Sequence, residues 1–291
     1  MSQRIVVSQE RVQLPLPVAR PQSARPDVRL WCLSLAQIPS AAMLEQISDA
    51  ERSRASRFAR REDFDRFVKT RGALRLILAA GAGAPARGLH LSEGADGKPR
   101  LADNPLGLHF SVSHSAGYAL IGVGWRPLGI DIERVRSDID WRPIAAMSLH
   151  PRERAALHGS SMTTATAAFF QIWTHKEAYL KAIGCGVAGD LASFAIDPAG
   201  GPVRVGGERA PAAWFTQALT APAGYKAALA TSFSRPDVCD VTPSFAGFCP
   251  FFANAAAITA PSRMVAVAGN AASRMSAGRA NVHLESRHCS G

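Results

Sequence analysis

Two short segments carry side chains that could bind a metal ion and assist a reaction. A run of alternating apolar and acidic residues predicts a β-strand that presents Asp131 and Glu133 on one face. Two carboxylates on one face repel each other, and a divalent cation held by oxygen ligands commonly relieves that repulsion. In the helical segment Trp173–Lys181, Glu177 lies four residues before Lys181, so the two are neighbours. A solvated sheet face and an exposed Glu–Lys pair are the structural alternatives.

Four blocks of residues occur in one order along the chain. They are Gly97-Lys98-Pro99, Phe110-Ser111-Val112-Ser113-His114-Ser115, Gly129-Ile130-Asp131-Ile132-Glu133 and Trp173-x-x-Lys176-Glu177-Ala178-x-x-Lys181. Together they resemble the signature of the Sfp-type 4'-phosphopantetheinyl transferases, over roughly residues 29 to 233. Ser111 departs from the pattern, because Asn is usual at that position, so the fixing of this strand end is expected to differ.

The resemblance implies an enzyme that transfers 4'-phosphopantetheine from coenzyme A to a serine of an apo acyl or peptidyl carrier protein and releases 3',5'-ADP. Asp131, Glu133 and Glu177 would hold Mg²⁺, which hard oxygen ligands favour over Zn²⁺. Lys181 would stabilise charge on the phosphate and the leaving group. The general base would be Glu177, directly or through a metal-bound water, with Lys181 as the alternative.

The same resemblance assigns residues to coenzyme A. The residues expected to hold its 3'-phosphate and nucleotide are Arg54, Arg66, Lys98, Ser113 and His114, with Lys181 at the reacting phosphate. Glu51 stands where family members can carry a further basic residue, so either Arg52 replaces that contact or the contact is absent. For the arginine-rich segment as a whole, a solvated helix face is the structural alternative.

The implied fold is α+β, with two pseudo-symmetric αβ halves that bind coenzyme A in the cleft between them. The expected organisation is a flexible leader over residues 1–28, an N-terminal half over 29–126, a C-terminal half over 127–235 and a disordered tail over 236–291. The tail is rich in Ala, Ser, Gly and Pro and lacks an amphipathic period, which favours disorder.

Local patterns predict the elements that must position these residues. A helix started by a capping box is predicted over Ser48–Ala80. A strand over residues 108–112 should lead into a turn of small polar residues over 113–117. The motif helix is predicted over Thr163–Ile183 and should end at Gly184.

Composition restricts the partners and the compartment. The formal net charge of +10 and the pI near 10.0 indicate an anionic partner. Five scattered cysteines without a C-x-x-C pair favour reduced thiols and a soluble, cytoplasmic protein. Charged residues interrupt any signal-peptide core, and no apolar run reaches the length of a membrane-spanning helix.

The anionic partners implied by the resemblance are coenzyme A and an acidic carrier protein, with neither nucleic acid nor membrane. A monomer is expected, because both halves lie in one chain. Two alternatives stay open: a basic nucleic-acid-binding protein, and a relative that binds coenzyme A or a carrier without turnover. The sequence does not distinguish fatty-acid, polyketide, peptide-synthetase and siderophore carriers.

Overall fold

The computed structural model describes residues 27–240 except 83, 95–97, 103, 106, 186–189, 206–207, 210–213 and 235. Six α-helices lie in this part of the chain: α1 Ser40–Gln46, α2 Asp49–Ala55, α3 Arg61–Ala82, α4 Arg142–Ser148, α5 Pro151–Leu157 and α6 Met162–Ile183. Its strands are β1 Val28–Ser34, β2 Leu91–Glu93, β3 Pro99–Leu101, β4 His109–Ser115, β5 Tyr118–Gly124, β6 Leu128–Arg134, β7 Phe194–Ala195, β8 Gly201–Pro202, β9 Arg204–Val205, β10 Glu208–Arg209, β11 Phe215–Leu219, β12 Tyr225–Thr231 and β13 Val238–Asp240.

Two four-stranded sheets form the framework, and each is associated with one helix of 22 residues. The first sheet has the order β13-β1-β5-β4, and the second has the order β6-β12-β11-β8. Buried Leu74 and Leu78 of α3 belong to the apolar cluster of the first sheet. Phe169 and Leu180 of α6 belong to the cluster of the second sheet. This arrangement confirms the predicted α+β class.

A third apolar cluster joins the two sheets. Leu30 of β1 and Leu120 of β5 pack there with Ile130 and Ile132 of β6. The alternation in β6 therefore sends its two isoleucines into this core. Asp131 and Glu133, which alternate with them, extend toward the other face, as the period of two predicts.

Helix α6 crosses β6 at very short range, and a glycine makes this possible. A Cβ atom on Gly129 would overlap the carbonyl oxygen of Ala178 and the main-chain nitrogen of Ala182. Small residues on both sides thus let the helix backbone lie directly against the strand. This contact fixes the height of Glu177 and Lys181 above β6.

The helix predicted over Ser48–Ala80 is in fact two helices, α2 and α3, and the single-helix prediction is wrong. The predicted capping box is present, because Ser48 and Glu51 exchange side-chain and main-chain hydrogen bonds. Beyond Ala55 the chain turns, since the Glu51 carboxylate pairs with Arg75 at 2.6 Å and draws α2 back onto α3.

Two further predictions need correction. The predicted turn over 113–117 is mostly strand, because β4 continues to Ser115 with its residues paired to β5. The tail predicted to be disordered over 236–291 contains a strand near its start, since Val238–Asp240 forms β13 parallel to β1. Residues 241–291 of that tail and residues 1–26 of the leader lie outside the described part of the chain. In the part that the structure describes, no helix combines the length and hydrophobicity needed to cross a bilayer.

Candidate functional site

The two sheets meet where their edge strands, β4 and β6, lie side by side, and serine hydroxyls bridge them. Alternate residues of β4 form what we call the serine row, Ser111, Ser113 and Ser115. Each hydroxyl accepts a hydrogen bond from a main-chain N–H of β6. The pairs are Ile130 to Ser111 at 3.2 Å, Ile132 to Ser113 at 3.3 Å and Arg134 to Ser115 at 3.1 Å. The edge of β6 is thereby satisfied without a regular strand pair.

Asp131 lies fully buried beside this row and is held by two donors. Its Oδ1 accepts hydrogen bonds from Ser113 Oγ at 2.7 Å and from Lys181 Nζ at 2.7 Å. Lys181 Nζ also donates to Ser113 Oγ at 3.1 Å, which closes a triangle of contacts. The second oxygen, Asp131 Oδ2, has no hydrogen-bond partner among the described residues.

Glu133 lies two residues after Asp131 on the same face of β6. It interacts electrostatically with Asp131, Glu177 and Lys181. Its Oε2 accepts a hydrogen bond from Ser115 Oγ at 2.7 Å. Burial raises the pKa of Glu133 well above its ordinary value, and the nearby Asp131 and Glu177 carboxylates raise it further.

The pKa of Lys181 is governed by the same carboxyl groups, but here they act against burial. Burial alone would lower the pKa of this lysine, but Asp131, Glu177 and Glu133 outweigh burial and raise it. The ammonium therefore stays protonated. Its side chain is 18% exposed, so part of it reaches solvent.

The three carboxyl groups supply the hard oxygen donors that a divalent cation such as Mg²⁺ prefers. They lie close together in a buried place, where burial and the neighbouring carboxylates raise the pKa of Glu133, and a cation would relieve that cost. Asp131 Oδ2 in addition lacks a donor among the described residues. In that part of the chain no three His, Cys, Asp or Glu side chains lie in an arrangement that could hold one metal ion. The magnesium site of Asp131, Glu133 and Glu177 stays a prediction.

A cleft of about 470 Å³ opens beside this cluster, and Glu133 and Ser115 form part of its wall. Its other wall comes from the start of α3 and from the end of β6 with the residues just beyond it. The Arg, Lys and His side chains on the wall are Arg60, Arg66, Lys69, His114, Arg134 and Arg136. Three acidic residues, Glu62, Asp63 and Asp65, line the same wall, and Arg66 pairs with Asp63 at 3.1 Å. Two predicted coenzyme A contacts, Arg66 and His114, therefore face the same space as the acidic cluster.

Ser113, a further predicted coenzyme A contact, is not on the cleft wall, and its hydroxyl lies between Asp131 and Lys181. Arg54 and Lys98, the remaining two predicted phosphate and nucleotide contacts, lie elsewhere. The Arg54 guanidinium lies 5.6 Å from the centre of the Phe67 ring, and Arg54 is not on the wall of this cleft. Lys98 Nζ donates to the main-chain carbonyls of Lys181 at 2.8 Å and Leu128 at 3.2 Å. It lines a separate cavity of about 330 Å³. The structure thus does not bring these two residues to the acidic cluster.

Lys176, the other lysine of the motif helix, has a structural environment that the sequence did not reveal. Its Nζ is fully buried, pairs with Glu153 at 2.9 Å and donates to the Phe194 carbonyl at 2.6 Å. Burial lowers the pKa of Lys176, and Glu153 opposes that effect. Lys176 thus anchors α6 to α5 and β7.

Ser115 is a second residue that sequence reasoning did not assign to the site. A signal was present, because serine recurs with period two through β4, which places Ser111, Ser113 and Ser115 on one face. The sequence contained no indication that β6 would lie against that face.

Known proteins of one family are similar in sequence to this chain. The model of the 4'-phosphopantetheinyl transferase superfamily matches residues 127–230, which include β6 and α6. The chain is 37% identical over 167 residues to the 4'-phosphopantetheinyl transferase HetI of Nostoc sp., covering 56% of this chain and 70% of that protein. It is 29% identical over 202 residues to a 4'-phosphopantetheinyl transferase of Bacillus subtilis, covering 68% of this chain and 87% of that protein. It is 26% identical over 162 residues to Sfp of Bacillus subtilis, covering 56% and 71% of the two chains. With the acidic pair of β6 and the Glu–Lys pair of α6 meeting at one seam, the chain belongs to the 4'-phosphopantetheinyl transferase superfamily.

Proposed function

We propose that this protein transfers the 4'-phosphopantetheine group of coenzyme A to a serine hydroxyl of an apo carrier protein. The observation that carries the proposal is the meeting of Asp131, Glu133, Glu177 and Lys181 beside a cleft whose wall carries Arg66 and His114 among basic and acidic side chains. Transfer of a phosphoryl group from a pyrophosphate to a hydroxyl needs positioning and charge neutralisation more than covalent help from the protein, and this site offers both.

In the proposed reaction, the serine oxygen of the carrier bonds to the β-phosphorus of coenzyme A. The bond from that phosphorus to the bridging oxygen breaks, and 3',5'-ADP leaves with the electron pair. The serine proton passes to a base. Glu177 is the better candidate for this base, because the raised pKa of Lys181 keeps that residue protonated. Lys181 then supplies fixed positive charge next to Asp131.

Asp131, Glu133 and Glu177 would together hold Mg²⁺. Magnesium, when bound, would supply positive charge to the pyrophosphate oxygens. The three buried carboxyl groups and the unpartnered Asp131 Oδ2 among the described residues support this assignment.

Coenzyme A would lie in the cleft of about 470 Å³. Arg66 and His114 are proposed to contact its phosphates, because both lie on the cleft wall. For Arg54 and Lys98 the proposed phosphate and nucleotide roles rest on the sequence resemblance, since both lie off that wall. For Ser113 the proposed coenzyme A contact likewise rests on the sequence resemblance, since its hydroxyl in the structure links Asp131 and Lys181.

The proposed partner is an acidic carrier protein met by a monomeric enzyme in the reducing cytoplasm. The formal charge of +10 supports an acidic partner. Both halves of the seam come from one chain, which supports a monomer.

The test is incubation of the full chain with coenzyme A, Mg²⁺ and a panel of apo-carriers, followed by intact-mass measurement. At least one carrier should gain the mass of one phosphopantetheine group, and 3',5'-ADP should appear in equal amount. Excess EDTA should abolish the gain and added Mg²⁺ should restore it. Retention of coenzyme A without any carrier modification would instead identify a binding protein without turnover.

A further inference from the structure

We propose that Ser115 is a positioning residue, which orients the Glu133 carboxylate for the divalent cation and ties that orientation to the packing of the two halves. The inference rests on the proposed function and extends it to a residue outside the predicted set. Ser115 lies on the wall of the cleft proposed for coenzyme A, but the role proposed here is indirect. It acts through Glu133.

Geometry fixes the direction of the Ser115 hydroxyl. Its oxygen accepts a hydrogen bond from the main-chain N–H of Arg134 at 3.1 Å, so it lies against β6. Its hydrogen then points to Glu133 Oε2 at 2.7 Å, since a carboxylate can only accept. The Ser115 hydroxyl of β4 thus bonds both to the backbone of β6 at Arg134 and to the side chain of Glu133 on β6.

The hydrogen bond between Ser115 and Glu133 is buried, so its loss should alter the orientation of the carboxylate. Ser115 is 8% exposed and Glu133 is 7% exposed, so little water can replace the hydrogen bond. Glu133 is also repelled by Asp131, which tends to swing its carboxylate away from the cluster. The hydrogen bond from Ser115 opposes that movement. Outer partners that orient a ligand in this way commonly change metal affinity about 10- to 100-fold when they are removed.

Ser111 offers a matched comparison within the serine row. It is buried on the same face of β4, and its hydroxyl accepts the same kind of bond from Ile130 N–H at 3.2 Å. Unlike Ser115, it donates to no carboxylate among the described residues. Ser113 is unsuitable as a control, because it touches both Asp131 and Lys181.

The experiment measures Mn²⁺ binding by electron paramagnetic resonance with the full chain at saturating coenzyme A, alongside urea unfolding. Ser115→Ala should weaken Mn²⁺ binding about 10- to 100-fold, while Ser111→Ala should bind Mn²⁺ like the wild type. Ser115→Ala should lose more unfolding free energy than Ser111→Ala, because it also removes the donor to the buried Glu133 carboxylate. Ser115→Thr, which keeps the hydroxyl, should restore Mn²⁺ binding.

Three results would overturn the proposal. Wild-type Mn²⁺ affinity in Ser115→Ala would show that the hydroxyl does not position Glu133. Equal weakening in Ser111→Ala would show that only the packing of the seam matters. Absence of Mn²⁺ binding in the wild type would remove the metal from the proposed function, and with it this inference. If Ser115→Ala does not fold, Ser115→Cys replaces it. That variant should also weaken Mn²⁺ binding, because a thiol fills the space of the hydroxyl but is only a weak hydrogen-bond donor.

Discussion

Lys176 and Lys181 lie five residues apart on α6 yet serve different purposes. Lys181 faces the acidic cluster, whereas Lys176 is fully buried against Glu153, whose side chain is 2% exposed. Removal of one partner from a buried ion pair leaves an unpaired charge and costs about 3–5 kcal/mol. The motif helix thus contains one lysine that contacts the acidic cluster, Lys181, and one that stabilises the fold, Lys176.

Lys176→Met is therefore expected to lower the unfolding free energy by about 3–5 kcal/mol, measured by urea titration. Paired replacement, Lys176→Met with Glu153→Gln, should recover part of that loss because no charge is then stranded. A single variant as stable as the wild type would contradict the structural role. Any activity lost in the single variant should return with folding in the double variant.

His175 is a buried group whose protonation should govern stability in acid. Its Nδ1 lies 2.9 Å from Thr216 Oγ1, and burial lowers its pKa to about 4 against a partial opposing effect of Asp197. Between pH 6.5 and 4 the unfolded chain therefore binds a proton at this residue and the native chain does not. The stability that neutral His175 contributes is complete above pH 6.5 and is lost as the pH falls toward 4.

The measurement is the unfolding free energy of the wild type and His175→Asn across this pH range. The wild type should lose up to about 3 kcal/mol more than the variant between the two ends of the range. Other titrating groups are common to both proteins and cancel in the difference. Parallel curves would show that His175 takes up its proton equally in both states.

At the scale of elements, the site depends on how closely α6 lies on β6. Gly129 permits that distance, since a side chain there would meet the backbone of Ala178 and Ala182. Backbone cannot move aside as a flexible side chain can, so the strand and the helix would have to separate. Separation would lift Glu177 and Lys181 away from Asp131.

Gly129→Ala should consequently destabilise the protein by about 1–3 kcal/mol or more and reduce transfer far beyond what the loss of folded protein explains. Gly88→Ala is the matched control, because its added methyl would meet only Pro85 Cβ at 4.0 Å. That control should retain both stability and activity. Thermal unfolding and intact-mass transfer rates compare the two, and equal behaviour would refute the close-contact argument.

Elements with strong local signals were predictable, and those set by distant contacts were not. The motif helix and its end at Gly184 follow from periodicity and a left-handed glycine with φ of 74°. The interruption between α2 and α3 contains neither Gly nor Pro in residues 56–60, so propensity did not indicate it. It arises because Glu51 pairs with Arg75, a contact between residues 24 positions apart.

The same contact changes the interpretation of the arginine-rich segment. Arg71 and Arg75 are buried at 5% and 2% exposure and pair with Glu51, so they hold α2 and α3 together. This use of arginine weakens the case for a helix that tracks nucleic-acid phosphates. The roles of Asp131, Glu133, Glu177 and Lys181, by contrast, were predicted from spacing and resemblance, and they stay predictions. The bridging role of Ser115 required the tertiary meeting of two edge strands.

For the whole molecule, the formal charge of +10 should influence how fast an acidic partner arrives. Long-range attraction is screened at higher ionic strength, since the Debye length shortens to about 8 Å at physiological salt. Added salt should therefore reduce kcat/KM for the carrier steeply while leaving kcat at saturating carrier nearly unchanged. Stopped-flow association at several salt concentrations measures this, and a rate independent of salt would contradict electrostatic steering.

The central claim is that carboxylates from β6 and α6 act together in phosphopantetheine transfer. Its most direct test is the single-turnover transfer rate of Glu177→Gln, read by intact mass, beside Glu45→Gln at an exposed position of α1. We predict a loss of about 10²- to 10⁴-fold for Glu177→Gln with native unfolding behaviour, and a wild-type rate for Glu45→Gln. A folded Glu177→Gln enzyme that transfers at the wild-type rate would contradict the account.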